Sequence, residues 1–199
     1  MYATQAGVLS DKLNYRQGKA ESLRLIGLSY IKTDKPKALT YVQDALKIAE
    51  DINHAPTTIK CLFYIGDINT ALGNDSIAIA CFQKAIGFTD NPDIILDKTK
   101  CMFNLSKIYF KHDKNDLAIE GFTKAISTFE VLGELKLQSN TLNSLGILYA
   151  LMNNNPKAIE CFQKNLTIHE SLSDTAGVFG SLNNIGNIYS SLGDLDKSF

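Results

Sequence analysis

Four cysteines (Cys61, Cys81, Cys101, Cys161) and three histidines (His54, His112, His169) are the side chains of this 199-residue sequence best suited to redox, metal or nucleophilic chemistry. A zinc or redox site would gather them at short, fixed spacings. They are instead scattered. Cys61 and Cys101 stand 40 residues apart, and Cys81 and Cys161 stand 80 apart. No histidine has a Cys, Asp or Glu at ligand spacing, so all three read as solvated residues near helix ends, with no metal and no cofactor. The nucleophile elbow Gly-x-Ser-x-Gly, the phosphate-binding glycine loop and HExxH do not occur. The acid pair Asp194 and Asp196 reads as a helix start, where carboxylates complement the dipole. The expectation is a segment that is not an enzyme.

Composition narrows the partner classes. Lys plus Arg is 20 against Asp plus Glu 21, a net charge of −1. Such a balance gives no field directed at nucleic acid or anionic lipid. There is no apolar run near the ~18 residues a membrane span needs, and the first residues hold no apolar signal core. With 45% hydrophobic side chains, the chain can bury a sizeable core.

The elements that position these side chains follow from a step of 40. Ala38, Ala78, Ala118 and Ala158 fall 40 apart, and Ser198 falls 40 beyond the last. Four residues after each alanine comes a bulky apolar residue: Val42, Phe82, Phe122, Phe162. Gly66, Ser106, Gly146 and Gly186 keep the same step, with Gly27 at 39. Four of these five small residues are followed three positions later by tyrosine: Tyr30, Tyr109, Tyr149, Tyr189. Self-similarity over this length marks a solenoid of stacked supersecondary units, an architecture that presents a binding surface.

One unit shows the construction. Leu142, Leu145, Gly146 and Tyr149 share one helix face. Asn153, Asn154 and Asn155 break the pattern, and Pro156 suits the first turn of a second helix bearing Ala158, Ile159, Phe162 and Leu166. Helices joined by so short a link pack antiparallel. A helical glycine costs roughly 1 kcal/mol against alanine, so a repeated one implies close approach of the partner helix, with Ala158 opposing Gly146. Asn69 in a tyrosine slot, and a Gly27–Ala38 turn one residue short, read as local adjustments. Equivalent cysteines in stacked units lie roughly 8–10 Å apart, beyond the disulfide limit of about 7 Å. Four free structural thiols fit a reducing compartment, and a cytoplasmic location is expected.

A bulky residue, then Leu145-Gly146-x-x-Tyr149, then Ala158-x-x-x-Phe162 resembles the tetratricopeptide repeat. The opening tryptophan of that family is Leu or Met here, and the period of 40 is similar to the long-helix branch of Leu-Gly-Asn repeat scaffolds and bacterial signalling regulators. Asn183-Asn184-Ile185-Gly186-Asn187 resembles the bacterial members. The resemblance implies an all-α, right-handed α-solenoid of antiparallel helix hairpins. Its units would be 1–14 (the second helix of a preceding repeat), 15–54, 55–93, 94–133, 134–173 and a truncated 174–199. Both ends read as uncapped, so the sequence reads as part of a longer array, with self-association through the uncapped ends expected.

In the resembled family, the first helices line a concave, peptide-gripping groove. Carried onto this sequence, that groove holds Lys60, Phe63 and Asp67, then Lys100, Phe103, Lys107 and Phe110, then Asn143, Asn183 and Asn187. Glu21, Arg24 and Leu28 fall at one end, and Leu28 stands where chaperone-tail clamps carry asparagine, which disfavours a chaperone C-terminus. Aromatic anchors beside basic groups suit a peptide with apolar and acidic side chains. The same phenylalanines equally suit padding between adjacent first helices. The resemblance therefore implies a noncatalytic protein-binding scaffold whose partner is a protein or peptide. The alternative is a sensory or regulatory module of a larger bacterial signalling protein, such as a histidine kinase, cyclase or transcription regulator.

Overall fold

A computed structural model describes residues 2–13 and 15–193. The expected helix start at Asp194 and Asp196, with Leu195, Ser198 and Phe199, lies outside the described residues. Among those described, the regular elements are ten α-helices: α1 (Tyr2–Lys12), α2 (Arg16–Tyr30), α3 (Lys35–Asp51), α4 (Ala55–Ala71), α5 (Asp75–Ile86), α6 (Ile95–Lys111), α7 (Asn115–Val131), α8 (Leu135–Leu151), α9 (Asn155–Ser171) and α10 (Thr175–Ser191). None is long and apolar enough to cross a membrane.

The 40-residue period is two half-steps of 20. Left-handed backbone recurs at Asn53, Gly73, Asp113, Gly133, Asn153, Ser173 and Gly193, numbers that differ by 20 or, once, by 40. Each ends a helix at the position where Gly, Asn and Asp tolerate positive φ most readily. A 17-residue helix and a three-residue link then fill each half-step, as from α7 through α10. Starts are equally marked. Asp34, Asn154 and Asp174 accept the N–H of Lys37, Lys157 and Gly177, and Pro36 and Pro156 occupy the first turns.

The break in this rhythm is α5. It stops after 12 residues, with Gly87 at its C-cap, and Pro92 stands just past where a 17-residue helix would end. The buried Lys98 of α6 compensates, donating to the Phe88 carbonyl and pairing with Asp90. An ammonium at a helix C-terminus also meets the negative end of its dipole.

Two compact units divide the chain, Met1–Ile108 and Tyr109–Phe199, with the boundary inside α6. In the first unit, α2 packs on α3 and α4 on α5 as hairpins; α1 meets α2, α3 meets α4, and α2 also touches α4. Val42, Ala45, Cys61 and Ile65 form a core cluster there. In the second unit α7 meets α8, α8 pairs with α9, and α9 meets α10. Ala158, Phe162 and Ile188 are buried together, with Tyr149 and Ile185 against them.

The small-residue slot does make room, and the contact it serves is chiefly the bulky residue four positions past the alanine. A Cβ on Gly146 would stand 2.7 Å from the Phe162 ring, and one on Gly66 would stand 2.5 Å from the ring of Phe82. In the first hairpin, a Cβ on Gly27 would meet Val42 at 2.7 Å and the Ala38 carbonyl at 3.0 Å. Asn69 is more than an adjustment. It is buried, donates to the Ile65 carbonyl and accepts from Asn74, tying α4 to its turn.

Candidate peptide-binding surfaces

In the first unit the candidate residues lie on α4 and α6. Lys60, Phe63, Lys100 and Phe103 are half-buried, while Asp67 and Lys107 are exposed. The Lys107 ammonium lies 5.5 Å from the Phe103 ring centre, a distance at which the ring quadrupole attracts a cation. Crowding by neighbouring atoms raises the pKa of Asp67 above the ordinary aspartate value, and the charge of Lys107 pulls against that rise. Aromatic, cation and carboxylate are thus brought together by the two first helices.

Two expectations need adjustment here. Phe63 packs at 6.4 Å on the fully buried Phe82 and at 5.1 Å, edge to face, on Tyr64. It is partly a packing residue, whereas Phe103 is the aromatic that carries a cation. The lysines are also less available than their sequence suggests. Lys100 is 3.2 Å from Asp97 on its own helix, and Lys107 faces Asp67. The surface is therefore mixed in charge rather than basic.

At the α2 end, Arg24 donates to Glu21 at 2.6 and 3.0 Å and lies 5.9 Å from the Tyr64 ring centre. Thr57 donates to the other Glu21 oxygen at 2.6 Å. Burial opposes ionisation of Glu21. Hydrogen bonds from Thr57 and Arg24 and the charges of Arg24 and Lys60 outweigh it, so the carboxyl lies below the ordinary glutamate range. This arginine is occupied by its own chain. His54, expected as a solvated residue, instead caps α4 and lies 2.8 Å from the Thr57 hydroxyl.

In the second unit Phe110 is half-buried, and the asparagines sit on α8 and α10. Asn143 accepts from Asn184 at 3.1 Å, a bond between two first helices. Asn183 and Asn187 are exposed. Asn184, not Asn183 or Asn187, is the neighbour that fixes Asn143, and the sequence offered only the Asn-Asn pair as a signal.

Two further features of the second unit fall outside the sequence reading. A cavity of about 590 Å³ has Leu142, Leu145 and Tyr149 among its lining residues, with Lys157, Glu160 and Lys164. In the first unit Lys84 of α5 bonds Glu50 of α3 at 2.6 Å. Lys164 and Glu130 hold the same slots 80 residues on, but Lys164 bonds Glu160 of its own helix at 2.7 Å.

The other feature corrects the expectation for His169. Its side chain is only 17% exposed, its Nε2 lies 2.9 Å from Ser139 Oγ and its Nδ1 lies 2.9 Å from Asp174 Oδ2. A signal existed. At steps of 40, Ala49, Thr89, Phe129 and His169 share one slot; Ala49 and Phe129 are fully buried, while Thr89, past the shortened α5, is exposed. A histidine in a core slot must find partners there.

The cysteines are free. Burial pushes the Cys61 thiol up to about 12 and that of Cys161 up to about 11, with Cys81 and Cys101 also raised. They are packing residues rather than nucleophiles.

Comparison with known proteins completes this picture. Sequence profiles of the tetratricopeptide repeat match residues 139–174 and 179–199. Those two stretches are tetratricopeptide repeats. Solved structures extend that fold to the part the profiles do not reach. BtubC from P. vanneervenii superposes with a TM-score of 0.85 at 18% identity, over 99% of this chain and 84% of that one. The tetratricopeptide-repeat sensor protein of the Signal Transduction ATPase with Numerous Domains class from Pyrococcus horikoshii gives 0.82 at 18%, over 99% of this chain and 31% of that one. Aspartyl phosphate phosphatase F from Bacillus subtilis gives 0.74 at 15%, over 92% of this chain and 57% of that one. A search of curated protein sequences returned no significant match. At these identities the likeness is one of fold, and it makes this chain an all-α, tetratricopeptide-like solenoid.

Proposed function

We propose that this chain is a protein-interaction scaffold that holds a peptide against its first helices, with Phe103 as the apolar anchor. Tetratricopeptide repeats serve protein association in general, and one observation supports this finer reading. Phe103 is half-buried on α6, with Lys107 at 5.5 Å and Asp67 on α4 within electrostatic reach of Lys107. A mixed-charge surface around an aromatic ring suits a segment with one apolar side chain flanked by polar groups of either sign. A strongly acidic peptide fits less well, since Lys100 and Lys107 already face Asp97 and Asp67.

A pull-down with the intact chain, followed by mapping of the bound segment, supplies the ligand for the test. Phe103→Ala is expected to weaken it by about thirtyfold, the loss of roughly 2 kcal/mol for a buried aromatic anchor. Lys107→Glu is expected to act on the association rate and its salt dependence. Wild-type affinity and rate in both folded variants would move the site elsewhere.

A second reading is a sensory module of a larger signalling protein, such as a histidine kinase, cyclase or transcription regulator. Its support is the likeness to the repeat sensor from Pyrococcus horikoshii, of which this chain covers 31%. The reading frame of the complete protein tests it: an adjoining output domain supports the regulator, and repeats alone oppose it.

A further inference from the structure

The Ser139–His169–Asp174 cluster has the connectivity of an activated nucleophile. Asp174 Oδ2 lies 2.9 Å from His169 Nδ1, and His169 Nε2 lies 2.9 Å from Ser139 Oγ. The Gly177 N–H and His169 hold the Asp174 carboxyl below the ordinary aspartate range. An ionised carboxylate can only accept, so in the neutral ring Nδ1 carries the hydrogen and Nε2 is left to take a proton from the serine. That is the tautomer a general base requires. The first unit has a related trio without this order: there Glu21 accepts from Thr57 directly, and His54 reaches the same hydroxyl through Nδ1.

The surroundings hold this geometry in place. Asp174 spends its other oxygen on the Gly177 N–H at 3.1 Å as the cap of α10, and its own N–H donates to the His169 carbonyl at 2.9 Å. A Cβ at residue 177 would stand 2.0 Å from His169 Nδ1. Glycine there, where the preceding unit has Leu137, leaves the space the ring occupies. The cluster also has an approach. A cavity of about 450 Å³ is lined by Lys136, Ser139, Asn140, His169, Leu172 and Asp174.

We propose that this cavity is a hydrolytic site for small carboxylic esters, with Ser139 as nucleophile, His169 as general base and Asp174 as the positioning residue. Ser139 is 2% exposed, so the cavity is its route to substrate and the acyl group must be small. The Ser139 Oγ–carbonyl bond forms as His169 Nε2 takes the hydroxyl proton, and the carbonyl oxygen becomes an oxyanion. Lys136 and Asn140 on the cavity wall carry the donors for that charge. The ester C–O bond then breaks, and His169 returns its proton to the departing alkoxide. Water attacks the acyl-serine while His169 takes a proton from it; the acyl–Oγ bond breaks and Oγ recovers that proton. The sum is ester plus water giving carboxylic acid plus alcohol.

The test uses the full chain with a small alkyl fluorophosphonate and with p-nitrophenyl acetate. Expected is a single phosphonylated residue, formed with loss of fluoride and mapped by peptide mass spectrometry to Ser139. Ester turnover is expected to fall to background in Ser139→Ala and by about 10²–10⁴-fold in His169→Gln, the usual worth of a general base. Asp174→Asn keeps the capping oxygen, so it is expected to slow labelling while leaving the melting temperature nearly unchanged. Unmodified Ser139 after excess probe, or equal turnover in wild type and Ser139→Ala, overturns the proposal and leaves the trio as a polar tie between three helices. The unaltered chain decides first, so a variant that does not fold leaves no ambiguity. Peptide binding by the first unit is measured separately and does not bear on this result.

Discussion

Alanine at Gly146 and alanine at Gly180 are the same substitution in neighbouring first helices, and the packing gives them opposite consequences. Both glycines lie inside 17-residue helices, where alanine is favoured over glycine by roughly 1 kcal/mol. A Cβ at Gly180 meets nothing within 4 Å, so Gly180→Ala keeps that whole gain. A Cβ at Gly146 lies 2.7, 2.9 and 3.0 Å from three atoms of the Phe162 ring. That ring is 2% exposed and part of a core cluster, so it has no open side to retreat to. Overpacking of this kind costs about 1–3 kcal/mol. Set against the propensity gain, Gly146→Ala is expected to lose about 0–2 kcal/mol.

For a chain of this size, 1 kcal/mol moves the midpoint by about 2–4 °C. Thermal unfolding followed by circular dichroism is therefore expected to show Gly180→Ala melting about 2–4 °C above wild type. Gly146→Ala should melt up to about 8 °C below it. The pair Gly146→Ala with Phe162→Leu should be less destabilised than the sum of its parts, because the second change removes the atoms the first one strikes. An equal rise for both alanine variants, or strict additivity in the pair, would refute the argument that the small-residue slot exists for the ring.

Lys98→Met is expected to cost about 1–3 kcal/mol by leaving the Phe88 carbonyl without its donor, and amide exchange should quicken within 87–94 before it does elsewhere. The thiols are expected to resist alkylation at mildly alkaline pH, with the half-buried Cys81 modified before the fully buried Cys61 and Cys101; a fast-reacting Cys61 would contradict its pKa of about 12. The Asp174 carboxyl has a lowered folded pKa, so its stabilisation is complete above the unfolded value near 4 and disappears as pH falls through the folded one. Asp174→Ala should thus destabilise more at neutral pH than at strongly acidic pH, read by denaturant unfolding at both.

The repeat register was legible because it is set by a few strong local signals. Pro36 and Pro156 can start a helix but not continue one, and Ala38, Ala78, Ala118 and Ala158 mark the same crossing each time. Among the described residues, the hairpins α2–α3, α4–α5 and α8–α9 and the buried Phe82, Phe122 and Phe162 follow from those positions. The shortening of α5 was less legible, since Gly87 and Pro92 lie in a stretch where the repeat pattern gives no apolar anchor, and what holds it, Lys98, is 10 residues from the carbonyl it reaches. The candidate groove was legible as a face and not as a set of partners. Sequence alone puts Lys100, Phe103 and Lys107 on α6 together. It does not tell that Asp97 occupies Lys100, that Asp67 on another helix faces Lys107, or that Phe63 turns toward Phe82.

The informative positions are those where the repeat departs from itself. A slot that is buried in the preceding unit sets a standing requirement for an apolar side chain, and a polar residue there persists only when neighbouring slots change to meet it. His169 replaces the phenylalanine of the preceding unit, Gly177 replaces Leu137, and Asp174 supplies an acceptor from the cap position. These are three coordinated departures within nine residues. Asn165 is the counter-example. It takes the slot of Ala45, Ala85 and Ala125 and its Nδ2 reaches Ser181 at 3.3 Å, yet its Oδ1 is buried with no partner. The two substitutions lie one helical turn apart on α9, and one is fully matched by its surroundings while the other is not. Replacing Asn165 with alanine should therefore restore the repeat and raise stability, since it removes an unsatisfied acceptor whose burial costs about 1–3 kcal/mol. Replacing His169 with phenylalanine should lower it, because Gly177, Ser139 and Asp174 are fitted to an imidazole. Denaturant midpoints that move in the same direction for both variants would show that the departures around His169 are not a matched set.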